Sequence, residues 1–247
     1  MSRYKIIVQY DGSCFSGWQL QKEKKTVQGE IENALKVISG TKTRVPVYGA
    51  GRTDAGVHAY GQVAHFDLNT KLSTVELCNA INSQTSKKCK IMLVEEISSD
   101  FEARFNAIKR CYRYQVYTGN SILYRNQAWL INDIDLDLLK SLSEIILGEH
   151  DFLSFSKFSD KKNNLCKIFM SKWVFDDKKD KKLSYIIHGD RFLHHMVRYL
   201  VGTMIAVSQN KISIEDFKNL LNLPRKDAKI FKAPSKGLVL KEIFYEN

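Results

Sequence analysis

The sequence predicts an α+β protein built from two similar halves, each with a mostly antiparallel sheet. Segments typical of strands and of helices alternate along its 247 residues, and the alternation restarts near residue 109 in a similar order. With 44% hydrophobic residues, a chain of this length can form one elaborate domain or two modest ones. Only three prolines are present, and no flexible linker separates residues 1–108 from residues 109–247. We therefore expect two closely packed halves, with a central cleft as the default site.

The first half shows the order β-α-β-β-α-β. Its helices are predicted from apolar residues at helical spacing: one is capped by Thr26 and ends at Gly40, and the other is capped by Ser73 or Thr74. Its strands are β-rich runs bounded by turn residues, at 4–10, 45–48, 62–67 and 90–97. This order predicts two helices on one face of a four-stranded antiparallel sheet. Because the first apolar run is short, we expect it to form a strand and not a targeting segment.

The second half predicts a decorated version of the first. Its strands are expected at 111–117, 168–176, 183–189 and 237–246. Its helices are expected at 136–148, 192–207 and 213–222, the last of them capped by Ser213. The two middle strands flank a lysine-rich tip, and the segment 157–182 carries nine lysines and four aspartates. This segment is either a solvated hairpin or an RNA contact.

The chain is basic, with 38 Lys and Arg residues against 27 Asp and Glu residues and a formal net charge of +11. A polyanion such as a nucleic acid is the natural partner for this charge. Compositional bias is the competing explanation, because lysine outnumbers arginine 28 to 10.

Membrane, disulfide and metal-dependent classes find little support in the sequence. No apolar run approaches the roughly 18 to 20 residues that a bilayer requires, and Arg198 interrupts the best candidate. The five cysteines are scattered without a C-x-x-C pair, which predicts reduced thiols in a soluble, cytoplasmic protein. His194 and His195 would point about 100 degrees apart on the predicted helix and could not hold one metal ion together. We expect neither a metal nor another cofactor.

The stretch YGAGRTDAGVHAYGQVAHF, at 48–66, concentrates glycine around one carboxylate. Glycines 49, 51 and 56 permit positive φ and close backbone approach, so a tight loop can leave one strand, expose Asp54 and return. Arg52 lies two residues before this aspartate. In the alternative interpretation, Asp54 folds back in an Asx-turn and Arg52 neutralises it.

Within this stretch, GRTDAGVHAYGQVAHFD is similar to the signature of the tRNA pseudouridine synthase A (TruA) family, whose nucleophilic aspartate stands at the position of Asp54. Five further blocks resemble the family in the expected order: YDGSCFSGWQLQ with TVQGEIENAL, FEARFNAIKRCYRY, DFLSFSK, FLHHMVRYLVGTM and APSKGL. Because the six blocks span nearly the whole chain, it is identified as a member of this family.

The resemblance implies a pseudouridine synthase fold and isomerisation of uridine to pseudouridine at tRNA positions 38 to 40 of the anticodon arm. It also implies a homodimer that acts without a cofactor. The reaction breaks the C1′–N1 bond, turns the uracil and joins C5 to C1′, so it needs an ionised carboxylate beside the sugar and base. Attack at C1′, attack at C6 and a glycal route all stay open.

The resemblance also assigns roles around Asp54. Arg198, which the helical pattern sets on a different face from the apolar stripe, corresponds to the active-site arginine that pairs with the catalytic aspartate and keeps it ionised. Tyr112 aligns with the tyrosine that stacks on the flipped uracil. Arg52 is assigned to RNA contact and base eversion, and Lys236 and Arg110 to contacts with the substrate.

Tyr114 shares a strand face with Tyr112, and we assign it to the core; Phe155 is expected to pack beneath the site.

Three departures from the family pattern bear on tRNA docking: Glu102 where histidine is common, Gln84 in place of a Leu-Pro, and Lys167 where arginine is common. None touches the positions of Asp54 or its partners. Two other classes of protein remain as alternatives. A non-catalytic RNA-binding protein would not need the intact site, and a carboxylate hydrolase would need a second acid that the sequence does not pair with Asp54.

Overall fold

The computed structural model describes residues 1–157, 163–177 and 181–246. The chain divides into two compact units: unit 1 comprises Met1–Ile108 and Leu240–Asn247, and unit 2 comprises Lys109–Val239. The end of the chain therefore groups with the first unit. Helices and mostly antiparallel strands occur in both units, which confirms the α+β class.

The elements are numbered along the chain. The helices are α1 (Val27–Ser39), α2 (Thr74–Gln84), α3 (Leu136–Ile145), α4 (Met196–Ser208) and α5 (Ile214–Asn222). The strands are β1 (Ser2–Tyr10), β2 (Tyr48–Gly49), β3 (His58–Leu68), β4 (Cys89–Ile97), β5 (Ala107–Tyr117), β6 (Trp129–Leu130), β7 (Gly148–Asp151), β8 (Leu165–Asp177), β9 (Lys182–Gly189) and β10 (Leu238–Tyr245). No helix among the described residues has the length and apolar character needed to cross a membrane.

The sheet of unit 1 has the strand order β4-β1-β3-β10, with β2 on β3. The prediction of a strand at 45–48 is therefore wrong except at its end. The backbone of Val47 does not join a ladder, because its N–H donates to Glu32 Oε1 (3.0 Å) and its carbonyl accepts from Gln28 Nε2 (3.1 Å). Both side chains are buried and come from α1. The fourth long strand is β10, which arrives from the end of the chain.

The helices of unit 1 begin and end where their capping residues predict. The Thr26 hydroxyl accepts from the N–H of Gly29, and Gly40 closes α1 with a φ of 64°. Ser73, and not Thr74, caps α2, in a reciprocal capping box with Glu76. α1 packs on α2, and α2 packs on β4.

The sheet of unit 2 has the order β5-β9-β8-β7, with β6 parallel to β5. β8 and β9 confirm the predicted middle strand pair, and α3 and α5 confirm two predicted helices. Ser213 caps α5 as predicted. The short strands β6 and β7 were not predicted. Much of the predicted lysine-rich tip, at 158–162 and 178–180, lies outside the described residues.

The helix predicted at 192–207 is shorter than expected. α4 begins at Met196 and not at residue 192, because His195 has a φ of 68° that no right-handed helix accommodates. His194 and His195 thus precede the helix, and the argument from their helical separation is wrong. Every residue from Leu200 to Ser208 is buried, so this part of α4 is buried on all faces and has no single apolar stripe.

Candidate active site

The Asp54 loop, residues 50–57, joins β2 to β3 in unit 1. The N–H of Ala50 donates to Val63 O (2.8 Å), and the buried Gln62 side chain donates to Gly51 O (2.9 Å), so the loop leaves the sheet at a fixed place. The carbonyl of Asp54 accepts from the N–H of Val57 (3.1 Å), which closes a tight turn. Gly56 within that turn has a φ of 80°, as the glycine pattern predicts.

A second segment of unit 1, residues 10–18, precedes the loop in the sequence and holds it in place. The Tyr10 hydroxyl and the Thr53 Oγ1 lie 2.8 Å apart in a buried hydrogen bond, and the N–H of Trp18 donates to Thr53 O (3.1 Å). Gly17, with a φ of 98°, packs so closely that a Cβ there would lie 2.6 Å from the same carbonyl. Thr53 is thereby held at its hydroxyl and its carbonyl. The backbone of the next residue, Asp54, is therefore fixed as well.

No pattern in the sequence singled out Tyr10, Gly17 and Trp18 as supports of the Asp54 loop. Their only signal was the block YDGSCFSGWQLQ, which carried the family resemblance without a role for any residue. Gly12 of the same block packs against the backbone carbonyl of Val57, where a Cβ would collide. The block is therefore the structural support of the loop.

The loop presents two charged side chains in different surroundings. Asp54 is half-buried and Arg52 is exposed. In the part of the chain that the structure describes, the Arg52 guanidinium makes no hydrogen bond or ion pair, so it does not neutralise Asp54 as the alternative interpretation required. The carboxylate and the guanidinium are separate functional groups on one rigid loop.

Elsewhere in unit 1, a charged cluster holds the turn that contains Glu102, one of the three departures from the family pattern. Arg3 binds Asp67 through two hydrogen bonds (2.7 and 2.9 Å) and Glu102 through one (3.2 Å). The buried His65 accepts from the N–H of Ala103 at Nδ1 (3.1 Å), and burial lowers its pKa although Glu102 acts in the opposite direction. Glu102 therefore has a partner within the protein.

In unit 2, Tyr112 and Arg110 occupy alternating positions of β5 and so project from one face of that strand. Tyr112 is half-buried, and its ring contacts Phe192 edge to face, with the centroids 5.1 Å apart. Arg110 donates to the carbonyl of Asp190 (2.5 Å). The aromatic ring and the guanidinium are thus held in place on a regular strand.

Arg198 lies in the first turn of α4 and is bound to the segment that contains Lys236. Its Nε donates to Ala233 O (2.9 Å), and the N–H of Ala233 donates back to Arg198 O (3.0 Å). Gly202, one turn later, permits this contact, because a Cβ there would collide with the carbonyl of Phe231. The close approach at Gly202 is therefore made by the chain's own 231–233 segment.

Two aromatic residues near these positions belong to the core. Tyr114 is fully buried and donates its hydroxyl proton to Pro234 O (2.8 Å), and burial raises the pKa of its phenol strongly. Phe155 is also fully buried and contacts the rings of Phe152 and Phe217. The assignment of Tyr114 to the core is confirmed.

The structure thus brings the predicted residues into two groups. Asp54 and Arg52 share one loop of unit 1. In unit 2, Tyr112 and Arg110 share one face of β5, and Arg198 is bound to the segment that leads to Lys236. The pairing of Asp54 with Arg198 and the role of each residue remain predictions.

Comparison with known proteins identifies the family. A family model described as tRNA pseudouridine synthase matches residues 6–106 and 143–246. The tRNA pseudouridine synthase A of Maridesulfovibrio salexigens is 34% identical, covering 99% of this chain and 91% of that protein. The enzymes of the same name from Borrelia hermsii and Ehrlichia chaffeensis are 37% and 40% identical, covering 100% and 98% of this chain and 100% of each relative. The chain therefore belongs to the tRNA pseudouridine synthase family.

Among solved structures, a chain of the archaeal box H/ACA sRNP Nop10-Cbf5 complex matches with a TM-score of 0.36 and 9% identity. The match covers 82% of this chain and 43% of that one, so this chain spans less than half of its length.

Proposed function

We propose that this protein isomerises uridine to pseudouridine in tRNA, at positions 38 to 40 of the anticodon arm. The observation that carries the proposal is the construction of the Asp54 loop: its backbone is fixed by Tyr10, Gly17 and Trp18, while Arg52 is left without a partner inside the described protein. A family of this activity needs such a fixed carboxylate. Here the segment that contains Tyr10, Gly17 and Trp18 holds the loop that carries the carboxylate, without an ion pair to Arg52.

The reaction balances within the nucleoside. The C1′–N1 bond breaks, the uracil turns, a C5–C1′ bond forms, and the proton leaves C5 while N1 takes one up. No atom is lost and no electron acceptor is needed, so the work of the protein is charge stabilisation and positioning. Asp54 supplies the negative charge beside the sugar and base, as nucleophile or as counter-charge to a developing cation.

The remaining residues orient the substrate. Tyr112 stacks on the extruded uracil, because its ring is half-buried and already held against Phe192. Arg198 orients Asp54 and keeps it ionised, while Arg52 contacts the RNA and helps to evert the base. Lys236 and Arg110 contact the reacting nucleotide or its phosphates.

The assembly and location are part of the same proposal. The active form is a homodimer in the cytoplasm, with one tRNA in contact with both subunits. Sedimentation of the active protein at its assay concentration tests the dimer, and a fully active monomer would contradict it.

The experiment that tests the activity is mapping of pseudouridine in unmodified tRNA transcripts after incubation with the protein. Modification at positions 38 to 40 is the expected result. Asp54→Asn should abolish it while tRNA affinity stays nearly unchanged, because the amide keeps the shape and loses the charge. Asp100→Asn is the matched control, since Asp100 is an exposed carboxylate of unit 1 without a described side-chain contact. Full activity of Asp54→Asn would end the assignment.

A further inference from the structure

A groove in unit 1 lies beside α1 and is lined by none of the residues of the Asp54 loop. Its volume is about 740 Å³. Five cations line it: Lys24, Lys25, Lys36, Lys42 and Arg44. Only two carboxylates face them, which leaves a net charge of +3 in one concavity.

Both carboxylates of the groove are occupied by the protein itself. Glu32 is buried and binds Arg44 through two hydrogen bonds of 2.6 Å. Glu30 accepts from the N–H and the hydroxyl of Ser86 (2.8 and 2.6 Å) and pairs with Lys25 at 3.3 Å. Neither carboxylate is therefore available to the other lysines of the groove.

Three lysines remain without such a partner. Among the residues that the structure describes, the ammonium groups of Lys24, Lys36 and Lys42 make no hydrogen bond and no ion pair, and all three side chains are exposed. Scattered surface lysines are usually only solvated, but these three converge on one cavity whose acids are already neutralised. Such an arrangement attracts a ligand with several negative charges.

The lining also excludes other classes of ligand. Leu20 is the only large apolar side chain among the lining residues, whereas cofactor and drug-like pockets are mostly apolar. The cavity is larger than one phosphate requires. A sugar-phosphate backbone, which is extended and repeats its charge, fits this combination of size and polarity.

The groove and the support of the Asp54 loop share one short segment of the chain, residues 18–20. Trp18 donates its N–H to Thr53 O in that loop, and Leu20, two residues later, lines the groove. An RNA strand held in the groove is thus anchored to the same short segment that fixes the catalytic aspartate.

We propose that this groove is a docking site for the sugar-phosphate backbone of the substrate RNA, separate from the site of the reacting nucleotide. The proposal rests on the proposed function, which makes tRNA that RNA. It assigns Lys24, Lys36 and Lys42 to phosphate contacts that add affinity without reading sequence.

The test compares two triple variants that lose the same charge. In the groove variant, Lys24, Lys36 and Lys42 are all changed to Gln; in the control variant, the exposed lysines Lys71, Lys90 and Lys241 of the same unit are changed to Gln. Equilibrium binding of an unmodified tRNA transcript is measured across a range of salt concentrations. Thermal unfolding of each variant verifies that it is folded.

We expect the groove variant to bind the transcript on the order of tenfold to hundredfold more weakly than the control variant near 0.1 M salt. The slope of log affinity against log salt should fall by about 2 to 3, one for each lost phosphate contact. A further variant with Lys24, Lys36 and Lys42 changed to Arg keeps the charge and should keep the affinity within a few-fold.

Equal affinities of the groove and control variants would overturn the proposal, because the affinity would then depend on the total charge of the protein and not on where the lysines lie. An unchanged affinity in the groove variant would also overturn it and leave the groove to an acidic protein or to no partner. These results differ from failure of the proposed function. In that case the wild-type protein forms no pseudouridine, whatever the groove binds.

Discussion

Removing the hydrogen bond between Tyr10 and Thr53 is the most direct test of how the Asp54 loop is held in place. Both residues are nearly inaccessible, with 3% and 7% exposure, and their hydroxyl oxygens lie 2.8 Å apart. Tyr10→Phe removes one hydroxyl and little volume. It leaves the buried Thr53 hydroxyl without this partner, one residue from Asp54.

The size of the effect follows from that burial. A typical buried hydrogen bond contributes about 0.5 to 1.5 kcal/mol net, and a buried polar group left unsatisfied costs about 1 to 3 kcal/mol. For Tyr10→Phe we expect a loss of about 1 to 2 kcal/mol in the free energy of unfolding. In a chain of this length, that corresponds to a fall of roughly 2 to 4 °C in the melting temperature.

Thermal unfolding by circular dichroism measures this loss, with Tyr4→Phe as the matched control. Tyr4 is also buried, at 4% exposure, and its ring stacks on Phe66, but its hydroxyl makes no hydrogen bond among the described residues. The control should therefore change the melting temperature little.

A double-mutant cycle with Thr53→Val isolates the pair. Because removing both hydroxyls leaves no orphaned partner, the double variant should be more stable than the two single losses predict. Additive losses, or equal melting temperatures for Tyr10→Phe and Tyr4→Phe, would refute the argument. Pseudouridine formation by Tyr10→Phe should slow even at saturating tRNA, since a loosened loop misplaces the carboxylate.

Three further predictions concern packing, protonation and thiol reactivity. Gly202→Ala should lower the free energy of unfolding by about 1 to 3 kcal/mol in urea denaturation, because its Cβ meets the backbone packed against α4, whereas Gly51→Ala meets no atom within 4 Å; equal losses would contradict the close packing. His65 should titrate below its ordinary pKa of 6.5 by NMR, because burial favours the neutral ring; its contribution to stability is then present above about pH 6.5 and is lost as the pH falls through the folded-state pKa, and a raised pKa would refute this sign. At pH 8 a maleimide should label the exposed Cys14 well before Cys89, because burial raises the pKa of the Cys89 thiol to about 12; equal rates in the folded protein would count against its burial.

Local signals predicted the helices of unit 1 because their causes are local. Thr26 and Gly40 act within one turn of α1, and the structure confirms both. The strand at 45–48 failed for a nonlocal reason. Val47 gives its backbone hydrogen bonds to Glu32 and Gln28, two buried polar residues that lie 15 and 19 positions earlier, in α1.

Local sequence patterns also could not predict where α4 begins or which strand pairs with β10. The run from residue 192 is apolar and helical in composition, yet the left-handed backbone of His195 delays the helix to Met196. The pattern of 237–246 predicted a strand but carried no information on which strand it would join. Its residues from Leu240 onward complete the sheet of unit 1.

In the candidate site too, the sequence predicted the loop itself but not the residues that hold it in place. Glycines mark the Asp54 loop in the sequence, but the residues that fix it come from a separate segment and act largely through backbone atoms, which leave no pattern of their own. From the sequence alone, Trp18 could not be distinguished from an ordinary core residue. Once this segment holds Thr53, the loop needs no internal ion pair for its shape, and this explains how Arg52 can stay exposed and without a partner in the described protein. A loop stabilised by an Arg52–Asp54 pair would have to break that pair before Arg52 could contact another group; a loop held by the segment 10–18 has no such pair to break.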